Sequence, residues 1–209
     1  QYYLTVTSAH ASPTPASGWF DLGSNVTESV TSPVSGAYET RYVCTGWTGE
    51  GSIPSSGSEA TTSFTMNEAS IITWTWKAQY QVTLGESGVG SNFTGTVVSV
   101  DSANYALSGL PVSFWWDSGS SHSFSFVSPL TVNSIQYVWS STSGLSPLQG
   151  GTLTITGSGS IVGNYAVQTP PVVQFRLPLW LFPASIMGLA LVSASVSLVF
   201  LGILRKTKG

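Results

Sequence analysis

Residues Ser113-Phe114-Trp115-Trp116-Asp117-Ser118-Gly119-Ser120-Ser121 hold the densest chemistry in the sequence. A carboxylate in such a turn can activate water for hydrolysis, but only when a second carboxylate faces it and the two share a proton. The other Asp-x-Gly is Asp21-Leu22-Gly23, which lacks a hydroxyl residue after the aspartate. Both strings also suit a plain hairpin turn, since Asp bonds to its own backbone and Gly takes left-handed geometry. In that reading Asp21, Gly23, Asp117 and Gly119 are structural. His122, Asp117 and a nearby serine invite a triad, yet no nucleophile elbow accompanies them. His10 and His122 lie far apart without metal-ligand neighbours, and no ligand-rich loop gathers Glu50, Glu59, Asp101 or Asp117. The expectation is a protein with no metal, no cofactor and no enzymatic activity.

The Asp117 string resembles the Asp-Ser/Thr-Gly-Ser-Ser loop of pepsin-type proteases. That resemblance implies acid proteolysis through Asp117-Ser118-Gly119, with the partner aspartate supplied by a second lobe or subunit. The neighbouring tryptophans suggest a different use. Trp115 and Trp116 are adjacent, so on a strand one points inward and the other outward. The outward ring is the candidate contact for a carbohydrate. Trp19, Trp47, Trp74, Trp76 and Trp139 fall at alternating strand positions, where small β modules need rings to fill their cores. Two sequons, Asn25-Val26-Thr27 and Asn92-Phe93-Thr94, are candidate glycosylation sites that demand exposure.

What must position these residues is β structure. Short alternating runs, such as Tyr2–Thr7, Ile71–Trp76, Tyr80–Leu84 and Val112–Trp116, are separated by Gly, Ser, Pro and Asn. The fold class is all-β, and the chain repeats itself. Trp19-Phe20-Asp21-Leu22-Gly23-Ser24 returns as Trp115-Trp116-Asp117-Ser118-Gly119-Ser120, and Gln1-Tyr2 returns as Gln79-Tyr80. Two tandem modules follow, 1–78 and 79–169, the second carrying an insertion near Ser87–Ser108.

Beyond them come a juxtamembrane linker (170–177), a transmembrane helix (178–204) and a basic tail (205–209). No charge interrupts Leu177–Leu204, longer than the roughly 20 apolar residues that span a bilayer. Arg205, Lys206 and Lys208 place the tail in the cytoplasm and the remainder outside. Nine acids and two bases precede Arg176, a balance of −7, and the four later bases bring the chain to −3. An acidic ectodomain with so few bases excludes nucleic acid as a partner. Only 7% of residues are charged, so few carboxylates are available to unfold the ectodomain on protonation, and acid tolerance is expected. Cys44 is alone, which leaves no internal disulfide. A C-terminal anchor requires export, so the sequence reads as a mature chain or the last part of a longer one.

Residues 1–78 carry a further resemblance. Tyr2-x-Leu4-Thr5-Val6-Thr7, Gly18-Trp19-Phe20-Asp21-Leu22-Gly23-Ser24-Asn25-Val26-Thr27, Gly46-Trp47-Thr48-Gly49 and Phe64-Thr65-Met66 look like the divergent internalin-type B repeats of prokaryotic surface proteins. The resemblance implies compact β-grasp-like or sandwich-like modules acting as extracellular spacers or adhesive units, with no catalytic residues. The expected function is the wall-proximal stalk of an adhesin or surface-layer-associated protein of an archaeon or bacterium. Its expected partners are the membrane, and a cell-wall or surface polysaccharide or surface-layer protein. The alternatives are a carbohydrate-binding module using exposed Trp and, remotely, the acid protease.

Overall fold

The computed structural model describes residues 1–168; the expected linker, transmembrane helix and tail lie outside the described residues. Over the first half run β1 (Tyr2–Thr7), β2 (Gly18–Phe20), β3 (Asn25–Ser29), β4 (Val34–Ser35), β5 (Thr40–Glu50), β6 (Ser56–Gly57) and β7 (Thr61–Thr65). Next comes β8 (Ser70–Ser87), 18 residues long, where strands usually run to about 5–6. The second half holds β9 (Thr96–Val100), β10 (Ala103–Ala106), β11 (Val112–Asp117), β12 (Ser121–Phe126), β13 (Leu130–Val132), β14 (Ile135–Gly144), β15 (Gly150–Thr154) and β16 (Gly159–Gln168). Among the described residues a single 3-10 turn, Leu107–Gly109, interrupts the β structure.

β8 organises the molecule. Its first half lies parallel to β1 (Leu4 beside Ser70) and antiparallel to β5 (Trp47 beside Trp74). Its second half lies antiparallel to β11 (Trp115 beside Gln81) and parallel to β16 (Gly159 beside Val82). Each half is thus centred on a parallel pair, β5-β8-β1-β2 and then β14-β16-β8-β11, with the short β4 and β6 added to β5 and β13 added to β14, ten strands in one sheet. Element by element, β1 corresponds to the second half of β8, β2 to β11, β3 to β12, β4 to β13, β5 to β14 and β7 to β15. The first half of β8 corresponds to β16. The sequence repeat is therefore a repeat of topology. The modules meet at 78/79 inside a strand: β8 crosses that position, and the described residues form a single compact unit. The reason is local. Lys77, Ala78 and Gln79 carry no turn former, and they continue the alternation that runs from Ile71 to Leu84.

A second layer covers one face of each half. β3 pairs with β7 in the first module. In the second, β12 pairs with β15 and with β9, and β10 pairs with β9. β9 and β10 are the insertion expected near Ser87–Ser108. Alternate residues of β8 feed two separate cores: Ile72 and Trp74 join Leu4, Val26, Phe64 and Met66, while Val82 and Leu84 join Phe124, Phe126, Ile155 and Ile161. The opposite set, Ile71, Thr73, Thr75, Lys77, Gln79, Gln81 and Thr83, lies on the uncovered face.

The cores solve the same packing problem differently. Trp74 and Val30 of the first module correspond to Gly163 and Phe126 of the second. A Cβ on Gly163 would stand 2.6 Å from the Phe126 ring, so the ring occupies the volume that an indole fills in the other module. Trp47 corresponds to Thr142, and Phe124 corresponds to Glu28. Glu28 is fully buried. Both its carboxyl oxygens lack a hydrogen-bond partner, as do the indole nitrogens of Trp47 and Trp74.

Candidate functional site at the module junction

The Asp117 turn and its counterpart are built alike. Ser120 N and Oγ both donate to Asp117 O (3.0 and 2.6 Å), Gly119 N donates to Ile155 O, and Ile155 N donates to Ser120 O. In the first module Ser24 N and Oγ donate to Asp21 O, Gly23 N to Met66 O, and Met66 N to Ser24 O. Gly23 and Gly119 take φ values of +81° and +80°, the left-handed region in which glycine carries no Cβ penalty. The Asp117 carboxylate is fully engaged: Lys77 Nζ lies 2.6 Å from Oδ2, and Gln79 Nε2 donates to Oδ1 at 2.7 Å. The hydrogen bonds from Lys77 and Gln79 hold it below the ordinary carboxylate range. A cation and an amide, rather than a second carboxylate, surround it. That is an ion pair and not the proton-sharing dyad that acid proteolysis requires.

The tryptophan pair divides between faces. Trp116 is buried, stacked between Phe114 (centroids 5.1 Å) and His122 (4.0 Å), so its ring is closed to a ligand. Trp115 points to the uncovered face, where the Arg41 guanidinium lies 4.5 Å from its centroid. Arg41 Nε donates to Gln79 Oε1 at 2.7 Å. Trp115, Arg41, Gln79, Asp117 and Lys77 thus form one connected cluster across the junction. Sequence reasoning missed Arg41 as the cover on Trp115, because the two are distant in sequence and meet only through β8. It also missed the exposed ring. Trp19 is 65% exposed and stands edge-to-face with Tyr3 at 5.2 Å.

His122 forms a second cluster on the covered side. Its Nδ1 lies 2.6 Å from Asp101 Oδ2, and its Nε2 lies 2.9 Å from Ser120 Oγ. Asp101 Oδ1 accepts from Ser123 N. Burial opposes ionisation of Asp101, but the hydrogen bonds from His122 and Ser123 and the histidine charge outweigh it and hold the carboxyl low. The chain Asp101–His122–Ser120 has the order of a hydrolytic triad, with Asp101 where the sequence suggested Asp117. The surroundings do not complete one. Ser120 Oγ–H is committed to Asp117 O, as Ser24 is to Asp21 O in a turn that has no histidine. The amides of Ser118, Gly119 and Ser120 donate to Ala78 O, Ile155 O and Asp117 O, leaving none of them to stabilise an oxyanion.

The remaining candidates are placed simply. Asn25 and Asn92 are both exposed, and Asn25 Oδ1 accepts from Thr65. Cys44 is half-buried on β5, and His10 stacks on Tyr42 at 3.6 Å. Among the described residues no three His, Cys, Asp or Glu side chains gather as a metal site, and no helix is long and apolar enough to cross a membrane.

No family model matches the sequence, and no curated protein matches it. One solved structure is similar, the Streptococcal High Identity Repeats in Tandem (SHIRT) domains 3-4 from a cell surface protein. It shares 14% identity over 80% of this chain and 99% of that one, with a TM-score of 0.24.

Proposed function

We propose that this chain is the non-enzymatic, membrane-proximal stalk of a cell-surface protein, built from divergent internalin-type B repeats. The observation that carries the reading is β8, which belongs to the sheets of both modules and joins them without a hinge. Eighteen residues at about 3.3 Å each give a shared strand roughly 60 Å long. Bending at the junction would break the Ser118 N to Ala78 O and Gln81 N to Glu39 O hydrogen bonds and the Lys77–Asp117 pair. Strands hold the stalk stiff in this reading, and the apolar run Leu177–Leu204 ties it to the membrane. Asn25 and Asn92 are exposed enough to carry glycans.

A second reading, contact with a surface polysaccharide, is favoured by the exposed Trp19–Tyr3 pair. It draws on Trp115 only if Arg41 moves aside, and on Trp116 not at all.

Location is tested by amine chemistry. Lys77 is the lone lysine before the apolar run, and Lys206 and Lys208 follow it. A membrane-impermeant acylating reagent applied to intact cells should modify Lys77, with Lys206 and Lys208 reacting only after permeabilisation. Modification of the tail lysines in intact cells, with Lys77 protected, would reverse the orientation and sink the proposal.

A further inference from the structure

The junction between the two modules has a donating half and a receiving half. The first module donates Arg41, which covers Trp115; Lys77, which pairs with Asp117; Glu39 O, which accepts from Gln81 N; and Ala78 O, which accepts from Ser118 N. The second module receives these with Gln79, Gln81, Trp115, Asp117 and Ser118. By the repeat, the same receiving positions in the first module are Gln1, Tyr3, Trp19, Asp21 and Leu22. Three of the five are identical residues: Gln1, Trp19 and Asp21 match Gln79, Trp115 and Asp117. The register agrees too, since Tyr3 lies beside Trp19 on β1–β2 as Gln81 lies beside Trp115 on β8–β11. What differs is cover. Trp115 lies under Arg41, while Trp19 and Leu22 are each 65% exposed and Tyr3 is 39% exposed. The donating half is not repeated in the second module, where Gln136 stands for Arg41 and Ala166 for Lys77.

We infer that the face formed by Gln1, Tyr3, Trp19, Asp21 and Leu22 is a docking surface for a further module of this same architecture. That module sets a guanidinium over Trp19 and an ammonium on Asp21. An indole that is wasted on solvent in isolation becomes a cation–π and packing contact once the junction forms. Because only the first module keeps an intact receiving half with no donor on it, the array extends from that end. The inference rests on the stalk reading but not on its membrane location, which the lysine labelling tests separately.

The test uses the full chain in detergent micelles, with a second copy of residues 1–78 fused directly before Gln1. The fusion recreates the order Trp76-Lys77-Ala78-Gln-Tyr across the new junction. The added copy carries Trp19→Phe, so that 5-fluorotryptophan at the original Trp19 can be read by fluorine NMR against the unfused chain. The expected result is a shifted Trp19 signal and loss of its solvent isotope effect, towards the behaviour of Trp115. Arg41→Ala in the added copy should reverse the shift. A folded added copy that leaves Trp19 solvent-exposed overturns the inference. So does a Trp19 shift in the unfused chain on adding soluble neutral polysaccharide such as dextran, which would assign the face to sugar. Should the fusion not fold, Arg41→Ala in the unfused chain decides. Under this inference Trp115 then gains the solvent isotope effect of Trp19, and an unchanged Trp115 removes the template on which the inference depends.

Discussion

Replacing Glu28 by Gln is expected to raise the stability of the protein at pH 8 by about 2–3 kcal/mol while changing it little at pH 4.5. Glu28 is buried with neither oxygen partnered, and burial pushes its carboxyl from an ordinary 4.5 up to about 7. The unfolded chain releases that proton near pH 4.5, whereas the folded chain keeps it until near pH 7. Across that window the folded state binds more protons, so stability is full below pH 4.5 and falls until about pH 7, by about 3 kcal/mol in all. No charged group contributes to the shift, since desolvation is its one cause. Asp101 and Asp117 act in the opposite sense. Their carboxyls are held low, so their contribution is present above pH 3.8 and lost as pH falls further. Together these groups place maximal stability near pH 4–5. Scarcity of charge points to acid tolerance, and Glu28, an acid in a position where the second module has Phe124, is expected to contribute more to it. Urea midpoints measured from pH 3 to pH 8 check this. A parent profile flat between pH 4.5 and pH 8, or a Gln variant with the parent's slope, would contradict it.

The second large effect is expected at Gln81. Proline there removes the amide that donates to Glu39 O and places a ring in the middle of a strand paired on both sides, which sheets accept only at edges and bulges. Gln81 is partly exposed, so the change removes no core contact. Gln81→Pro should cost on the order of 3 kcal/mol and should separate the two modules, so that tryptophan fluorescence shows two unfolding transitions. Gln81→Ala keeps the amide and should leave a single transition. Equal behaviour of the two variants would mean that the crossing strand does not couple the cores.

Much of this fold could be read from the sequence because its pattern is local. The alternation of Ile72, Trp74, Val82 and Leu84 predicts strands, and the returning Trp-x-Asp-x-Gly-Ser blocks predict two related modules with matching turns. What the local pattern does not reveal is that the two modules meet inside one strand. Lys77-Ala78-Gln79 looks like a polar gap between two apolar runs, yet Lys77 and Gln79 are the outward residues of one continuous alternation. The site was legible only in part, for a different reason. That one of Trp115 and Trp116 must face outward follows from the period of a strand. That Arg41 covers the outward one depends on the pairing of β5 with β8, at a sequence separation no local pattern encodes. The same holds for Asp101, which reaches His122 from the insertion, and for Glu28, whose burial is invisible in a run of polar residues such as Thr27-Glu28-Ser29.

Native-state hydrogen exchange along β8 tests most directly whether the two modules behave as one body. The amides of Ile72 and Leu84 lie on the same strand but in different cores. Measured in low concentrations of urea, they are expected to exchange through one global opening, with the same free energy and the same dependence on denaturant. Two distinct opening energies, with one core exchanging while the other stays protected, would show independent beads on a string and contradict a stiff, strand-shared stalk.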